Sequence, residues 1–236
     1  MHALTNEERS RYQRFIELPE MGESAQLRLK ASSILVVGAG GLGSALLPIL
    51  CASGIGHIGV VEHDTIDHGN LQRQTLYTPD CVGTKKINSA GKKLARHNPN
   101  MHLETFDLRL DQGNAEALIS SFDAVADCTD NFPTRYLIND VCGQLGVPLV
   151  YASLSDFHGQ LTVLHHNQNA DLRDLYPEPP AEATGTPGIM PSLPHIIGSM
   201  QANEILKLFT QKGRLLDGRL MIFNAYNADL QVVEFK

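Results

Sequence analysis

The chain has no tryptophan, only four cysteines with no CxxC pair, and no apolar run near the roughly 20 residues a bilayer span needs. Cys51, Cys81, Cys128 and Cys142 are too scattered for a disulfide framework or a thiolate zinc site, and are expected as small apolar side chains in the core. Glu7, Glu8 and Arg9 stand where a secretory signal would be apolar, so the chain reads as cytoplasmic, with no membrane partner. Positive charge is also short: 19 Lys and Arg face 26 Asp and Glu, for a net charge of −7. That balance argues against nucleic acid as a partner and leaves phosphate binding to a local site.

The 236 residues are enough for one α/β domain. Residues 1–30 read as two N-terminal helices, with Tyr12, Phe15, Ile16, Leu27 and Leu29 at helical spacing and a break at Pro19 and Gly22. Residues 31–151 read as a βαβ core. Ile34–Val37 is a short β-branched run typical of a central parallel strand, followed by a helix over 43–53 and a strand at Ile58–Val61. A third βα unit lies near His102–Ser121, with further strands at Ala124–Ala126 and Pro148–Tyr151. Strands alternating with helices imply right-handed crossovers and a mostly parallel, Rossmann-like sheet. Residues 152–236 change pattern, with alternating strands at 159–164, 218–223 and 230–235 and a helix over 196–209, so an antiparallel extension of the same sheet is expected. The proline-rich stretch from His165 to Pro194 reads as a mobile loop.

Gly38-Ala-Gly40-Gly41-Leu-Gly43 follows a strand and opens a helix, the context in which such glycines let backbone approach a phosphate at a helix N-terminus. Glu62 ends the second strand, where an acid can take ribose hydroxyls. This pattern indicates an adenine nucleotide but fits a dinucleotide equally well, so an NAD(P)-dependent oxidoreductase stays open.

The residues that follow favour a triphosphate: Asp64, the run Asn70-Leu-Gln-Arg73-Gln74, Lys85 and Lys86, and the run Asp127-Cys-Thr-Asp130-Asn131 with Arg135 behind it. Arg73 offers a planar fork and Lys86 a compact charge, suited to an α-phosphate and a departing pyrophosphate. Asp130, just past a strand's carboxyl end, suits Mg²⁺, which takes one or two carboxylates beside phosphate oxygens. Taken singly, Lys85 and Lys86 also fit a solvated helix start, and Arg73 with Asp130 a salt bridge.

Arg11-Tyr-Gln-Arg14, the glycine turn, Ser53-Gly-Ile-Gly56, Asn70–Gln74, Asp127–Asn131, Gly159-Gln160 and Gly198-Ser-Met-Gln-Ala202 together resemble the ThiF/MoeB/HesA family of E1-like adenylyltransferases. The resemblance runs from the first helix almost to the C-terminus. It implies ATP- and Mg²⁺-dependent adenylylation of the C-terminal glycine of a ubiquitin-like sulfur carrier ending in Gly-Gly, with release of pyrophosphate. The segment from Phe157 to Leu164 is more similar to the thiamine-pathway members, which favours a ThiS-like over a MoaD-like carrier. Carried over by position, Glu62 becomes the ribose ligand, Asn70, Arg73 and Lys86 the phosphate ligands and Asp130 the magnesium ligand. Arg14 would reach the phosphates of a neighbouring subunit, which implies a homodimer.

The chain departs from the family where many members carry two zinc-binding CxxC pairs. Asp171-Leu-Arg-Asp174 occupies the first pair's place, so no structural zinc is expected. His165 and His166 beside those aspartates invite a metal, but a polar loop is the favoured reading. Thr184 stands about where some members carry a cysteine for thioester or persulfide chemistry. A separate protein would then deliver the sulfur. These departures also leave open a degenerate member that binds a nucleotide or partner without turnover.

Overall fold

The structure is a computed structural model that describes residues 3–168, 170–180 and 188–236. Thr5 starts α1 (Asn6–Ile16) with a reciprocal cap: its hydroxyl accepts from the Glu8 amide while the Glu8 carboxylate accepts from the Thr5 amide. The chain breaks around Pro19 and re-enters a helix at α2 (Gly22–Ala31), whose Lys30 reaches back to Glu8 at 2.8 Å. The two helices are thereby tied before the core begins.

The core alternates β1 (Ser33–Val37), α3 (Gly41–Ser53), β2 (His57–Val61), α4 (Lys86–His97), β3 (His102–Phe106), α5 (Ala115–Ile119), β4 (Ala124–Asp127), α6 (Phe132–Leu145) and β5 (Leu149–Ser155). Then follow β6 (His158–Leu164), α7 (Leu172–Leu175), α8 (Leu193–Thr210), β7 (Arg219–Asn224) and β8 (Asp229–Glu234). All eight strands share one sheet, in the order β3-β2-β1-β4-β5-β6-β7-β8. The first five in that order are parallel, and the β5–β6, β6–β7 and β7–β8 pairs are antiparallel. The mostly parallel sheet and its antiparallel extension are as the sequence predicts.

The centre of the sheet is buried on both faces because Ile34–Val37 of β1 and Ala124–Ala126 of β4 are apolar at successive positions. Ile34 and Val36 point into a core with Leu46, Leu50, Ile87, Leu94, Ile197 and Ile205, while Leu35 and Val37 point into one with Ile119, Ile138, Val141 and Leu172. Helices α2, α3, α4 and α8 thus cover one face, and α5, α6 and α7 the other. Three cysteines are buried in these layers, but Cys81 is only half-buried and contacts Thr78, which corrects the expectation of four core thiols.

Sequence patterning missed α6. Its buried face mixes Arg135 and Asn139 with Ile138, Val141 and Cys142, which blurs the apolar period. The reading of His165–Pro194 as one loop also needs correction. The segment turns into α7, with Ala170 and Leu172 buried, and α8 begins at Leu193 with Pro194 in its first turn, where a missing N–H costs nothing. Thr184 lies outside the described residues.

Candidate functional site

The site forms where β1, β2 and β4 end. Gly38 leaves β1 with φ +100°, and a side chain there would place its Cβ 2.7 Å from the Cys128 carbonyl oxygen. A Cβ on Gly43 would lie 2.3 Å from the Gly38 carbonyl oxygen. Only glycine lets the turn fold this tightly between strand, helix and the neighbouring β4 end. Gly40 then begins α3 without any side-chain cap, so the first-turn amides from Gly41 onward have neither an intrahelical nor a capping partner. That helix end is an anion-binding arrangement.

Glu62 holds the turn from the β2 side. One carboxylate oxygen accepts from the Ala39 amide at 2.9 Å, and the other from the amides of His63 and Asp64 at 2.8 Å each. Glu62 is 6% exposed, so its charge stays buried because three backbone N–H groups compensate it. A carboxylate has about four acceptor positions, which leaves capacity for a ribose hydroxyl. Tyr77 holds the same Ala39 from its carbonyl side, donating its hydroxyl at 2.8 Å. Burial pushes that phenol well above its ordinary pKa, with the Glu62 and Asp64 charges adding to the shift, so it remains a donor.

Asn70, Arg73 and Gln74 lie on one short turn that crosses the glycine segment. Asp67 caps it, accepting from the Gly69 amide, while the Asn70 side chain accepts from the Asp67 amide and the Asn70 backbone carbonyl accepts from the Gln74 amide. Arg73 Cγ lies 3.9 Å from the position of a Cβ on Gly41, and Gln74 Nε2 lies 3.7 Å from one on Gly40. Arg73 donates to the Gly69 carbonyl rather than to Asp130, which disposes of the salt-bridge alternative. The buried side-chain oxygen of Gln74 has no partner among the described residues.

Lys86 begins α4 and is 5% exposed, with its Nζ 3.0 Å from Asp64 Oδ2. Burial alone would raise the Asp64 pKa, but the Lys86 hydrogen bond and charge, helped by His63 and Lys85, hold it below the usual value. Contacts therefore run without a break from Lys86 through Asp64 and Glu62 to the glycine turn. Lys85 turns away to Asp107 and the His63 carbonyl.

On the other side, Asp127 is wholly buried at the end of β4, and one of its oxygens accepts from the amide and hydroxyl of Thr129. Burial raises its pKa against the opposing charge of Arg135, which donates to the Thr129 carbonyl. This pins the segment that presents Asp130 to solvent. Asn131 caps α6, accepting from Thr134, and otherwise only grazes Asp130 at 3.4 Å. An exposed carboxylate just past the carboxyl end of β4, the strand beside β1, is a donor that fits Mg²⁺ bound with phosphates.

Arg14 is not brought to this cluster. It is exposed on α1 and lines a cleft of about 430 Å³ with Arg11, Phe15, Pro48, Ile49 and His97. Ile49 is eight residues along α3 from Gly41, roughly 12 Å from the turn at 1.5 Å per residue. His165 bonds to Asn139 and Asp174 to Lys236, so neither belongs to a cluster of metal-ligating atoms among the described residues.

Two contributors were not assigned from the sequence, Tyr77 and Gln201. Gln201 is fully buried in α8, donating to the carbonyls of Asp127 and Val150 at 2.9 Å and accepting from the Cys128 thiol. Its amide joins the ends of β4 and β5. The available signal was a lone glutamine within the apolar stripe Ile197, Gly198, Ala202, Ile205.

Residues 12–236 match the model of the ThiF family. The chain is 41% identical to a sulfur carrier protein adenylyltransferase of Thermus thermophilus, the match covering 96% of this chain and 87% of that one. It is 40% identical to the SAMP-activating enzyme E1 of Haloferax volcanii over 96% of this chain and 85% of that one. Among solved structures, that of E. coli MccB with MccA-N7isoAsn superposes with a TM-score of 0.87 at 17% identity, covering 96% of this chain and 72% of that one. The last is a likeness of fold.

Proposed function

The chain belongs to the ThiF family, and on that premise we propose that it is an ATP- and Mg²⁺-dependent adenylyltransferase acting on the C-terminal glycine of a ubiquitin-like sulfur carrier, with a ThiS-like carrier favoured. The observation that carries this reading is the convergence of Arg73 and Gln74 on the uncapped N-terminus of α3, with Lys86 linked to the same turn through Asp64 and Glu62. A dinucleotide enzyme has no use for two cations at that position, since backbone amides suffice for a pyrophosphate.

In this reading a carboxylate oxygen of the carrier attacks the α-phosphorus, and the bond to the β-phosphate breaks to release pyrophosphate. The carboxylate is already ionised at neutral pH, so no general base is required. Arg73, Lys86 and Asn70 would hold the phosphate oxygens and Glu62 the ribose, and Asp130 would hold a Mg²⁺, which when bound would offset charge on the pyrophosphate. The buried thiols fit no covalent role, because burial raises the pKa of Cys51, Cys128 and Cys142, that of Cys51 to about 12. A separate protein then supplies sulfur to the acyl-adenylate.

Arg14 lies outside its own subunit's cluster, which supports a homodimer in which it serves the neighbouring site. Mixing an Arg14→Ala subunit with a Lys86→Met subunit should restore activity that neither has alone. The central test is ATP–pyrophosphate exchange with candidate carriers and Mg²⁺. Exchange only with a Gly-Gly carrier is expected; ATP binding without exchange for any carrier would indicate a degenerate binder, and binding of NAD(P) but not ATP an oxidoreductase.

A further inference from the structure

We propose that His57, His102 and Glu104 form a second site, for a divalent transition-metal ion of the zinc type, at the end of the sheet opposite the glycine turn. His57 and His102 are direct partners in the parallel β2–β3 ladder, and Glu104 lies two residues on, on the same face as His102. Strand register therefore places all three side chains together. Their ligand atoms lie within 4.8 Å of one another.

The separations suit a shared ion. Two ligands on a tetrahedral zinc, each about 2.0–2.1 Å from it, are about 3.4 Å apart. Glu104 Oε1 lies 3.7 Å from His57 Nε2 and 2.9 Å from His102 Nε2. Adjustment of a few tenths of an ångström in the exposed His102 would seat the ion. Two imidazoles and a carboxylate select zinc, cobalt, nickel or copper over Mg²⁺ or Ca²⁺, and leave a fourth position to water.

A second observation points the same way. His57 Nε2 is buried and has no hydrogen-bond partner among the described residues, although its ring is firmly held. The Phe122 ring packs against it at 4.8 Å, in the space left by Gly59, where a Cβ would lie 2.4 Å from Phe122 Cζ. An orphaned nitrogen facing a carboxylate and a second imidazole is satisfied by a cation with no rearrangement of the core. The ion would join the edge strand β3 to β2, roughly 17 Å along β2 from Glu62 by strand rise, and so apart from the adenylylation chemistry.

The test is titration of the full-length protein, stripped with chelator, with Zn²⁺ by calorimetry and with Co²⁺ by visible absorption. One equivalent should bind, with cobalt bands of a four-coordinate nitrogen–oxygen site and a rise in melting temperature with zinc. Glu104→Gln and His102→Ala, at side chains 42% and 63% exposed, should fold normally, bind at least tenfold more weakly and lose the thermal shift. His166→Ala should bind as wild type. Absence of stoichiometric binding to the wild type, or unchanged binding by both variants, would overturn the proposal.

Discussion

Lys86 is joined to Asp64 twice: its amide donates to the Asp64 carbonyl at 2.9 Å, and its Nζ lies 3.0 Å from the Asp64 carboxylate. The two are 22 residues apart in the chain. The side chain of Asp64 is 54% exposed while Lys86 is almost covered, so the pair holds a buried cation at the rim of the glycine turn without neutralising it in water. Its value lies in positioning, since an ion pair open to solvent on one side adds little stability.

Lys86→Met should keep the packed stem and lose the charge. Exchange of pyrophosphate into ATP should fall about 10²–10³-fold, the usual cost of removing one preorganised electrostatic contact, with the far-UV spectrum unchanged. Arg73→Ala and Asp130→Ala should fall at least as far, because neither is needed for the core. Near-normal exchange in any of the three removes that residue from the site.

Glu62→Gln puts an amide NH₂ opposite backbone N–H donors that now meet carboxylate oxygens. Lost charge-assisted hydrogen bonds should cost about 2–3 kcal/mol, read from urea unfolding, together with weaker ATP binding. A variant as stable as wild type would mean that the turn holds without this carboxylate.

Gln201→Leu fills the same space but leaves the carbonyls of Asp127 and Val150 unpaired. We expect a loss of about 2–3 kcal/mol and reduced exchange, because Asp127 anchors the segment that carries Asp130. Stability should fall in chemical denaturation even with saturating ATP.

Glu8 predicts a pH dependence. Burial raises its pKa, but hydrogen bonds from Lys30 and Thr5 outweigh that and hold it below its ordinary value of 4.5. A depressed folded pKa gives stability that is fully present above the unfolded value and lost as pH falls through the folded one. Glu8→Gln should therefore destabilise the protein at pH 7, and the difference from wild type should shrink below about pH 4.5. A constant difference across that range would refute the linkage.

Much of this was legible in the chain because it depends on near neighbours. The helix break at Pro19, the two-faced apolar strand before Gly38 and the glycine-rich start of α3 each follow from backbone sterics and side-chain period over a few residues. The unread parts depend on distant ones. Tyr77 and Gln201 are ordinary residues locally and matter only because Ala39, Asp127 and Val150 come to meet them. Helix α6 was hidden because its buried polar side chains serve Asp127's loop and the turn around Asp171.

The sequence by itself determined the order of the strands, the glycine turn and the inventory of charges available to a nucleotide, since those are properties of residue type and spacing. Only the tertiary structure decided how the charges are shared: Glu62 committed to backbone amides, Lys86 to Asp64, Arg73 to Gly69, Asp130 exposed and Arg14 placed apart. Such pairings depend on distance and desolvation between segments tens of residues apart, quantities that exist only once the sheet has closed over its core.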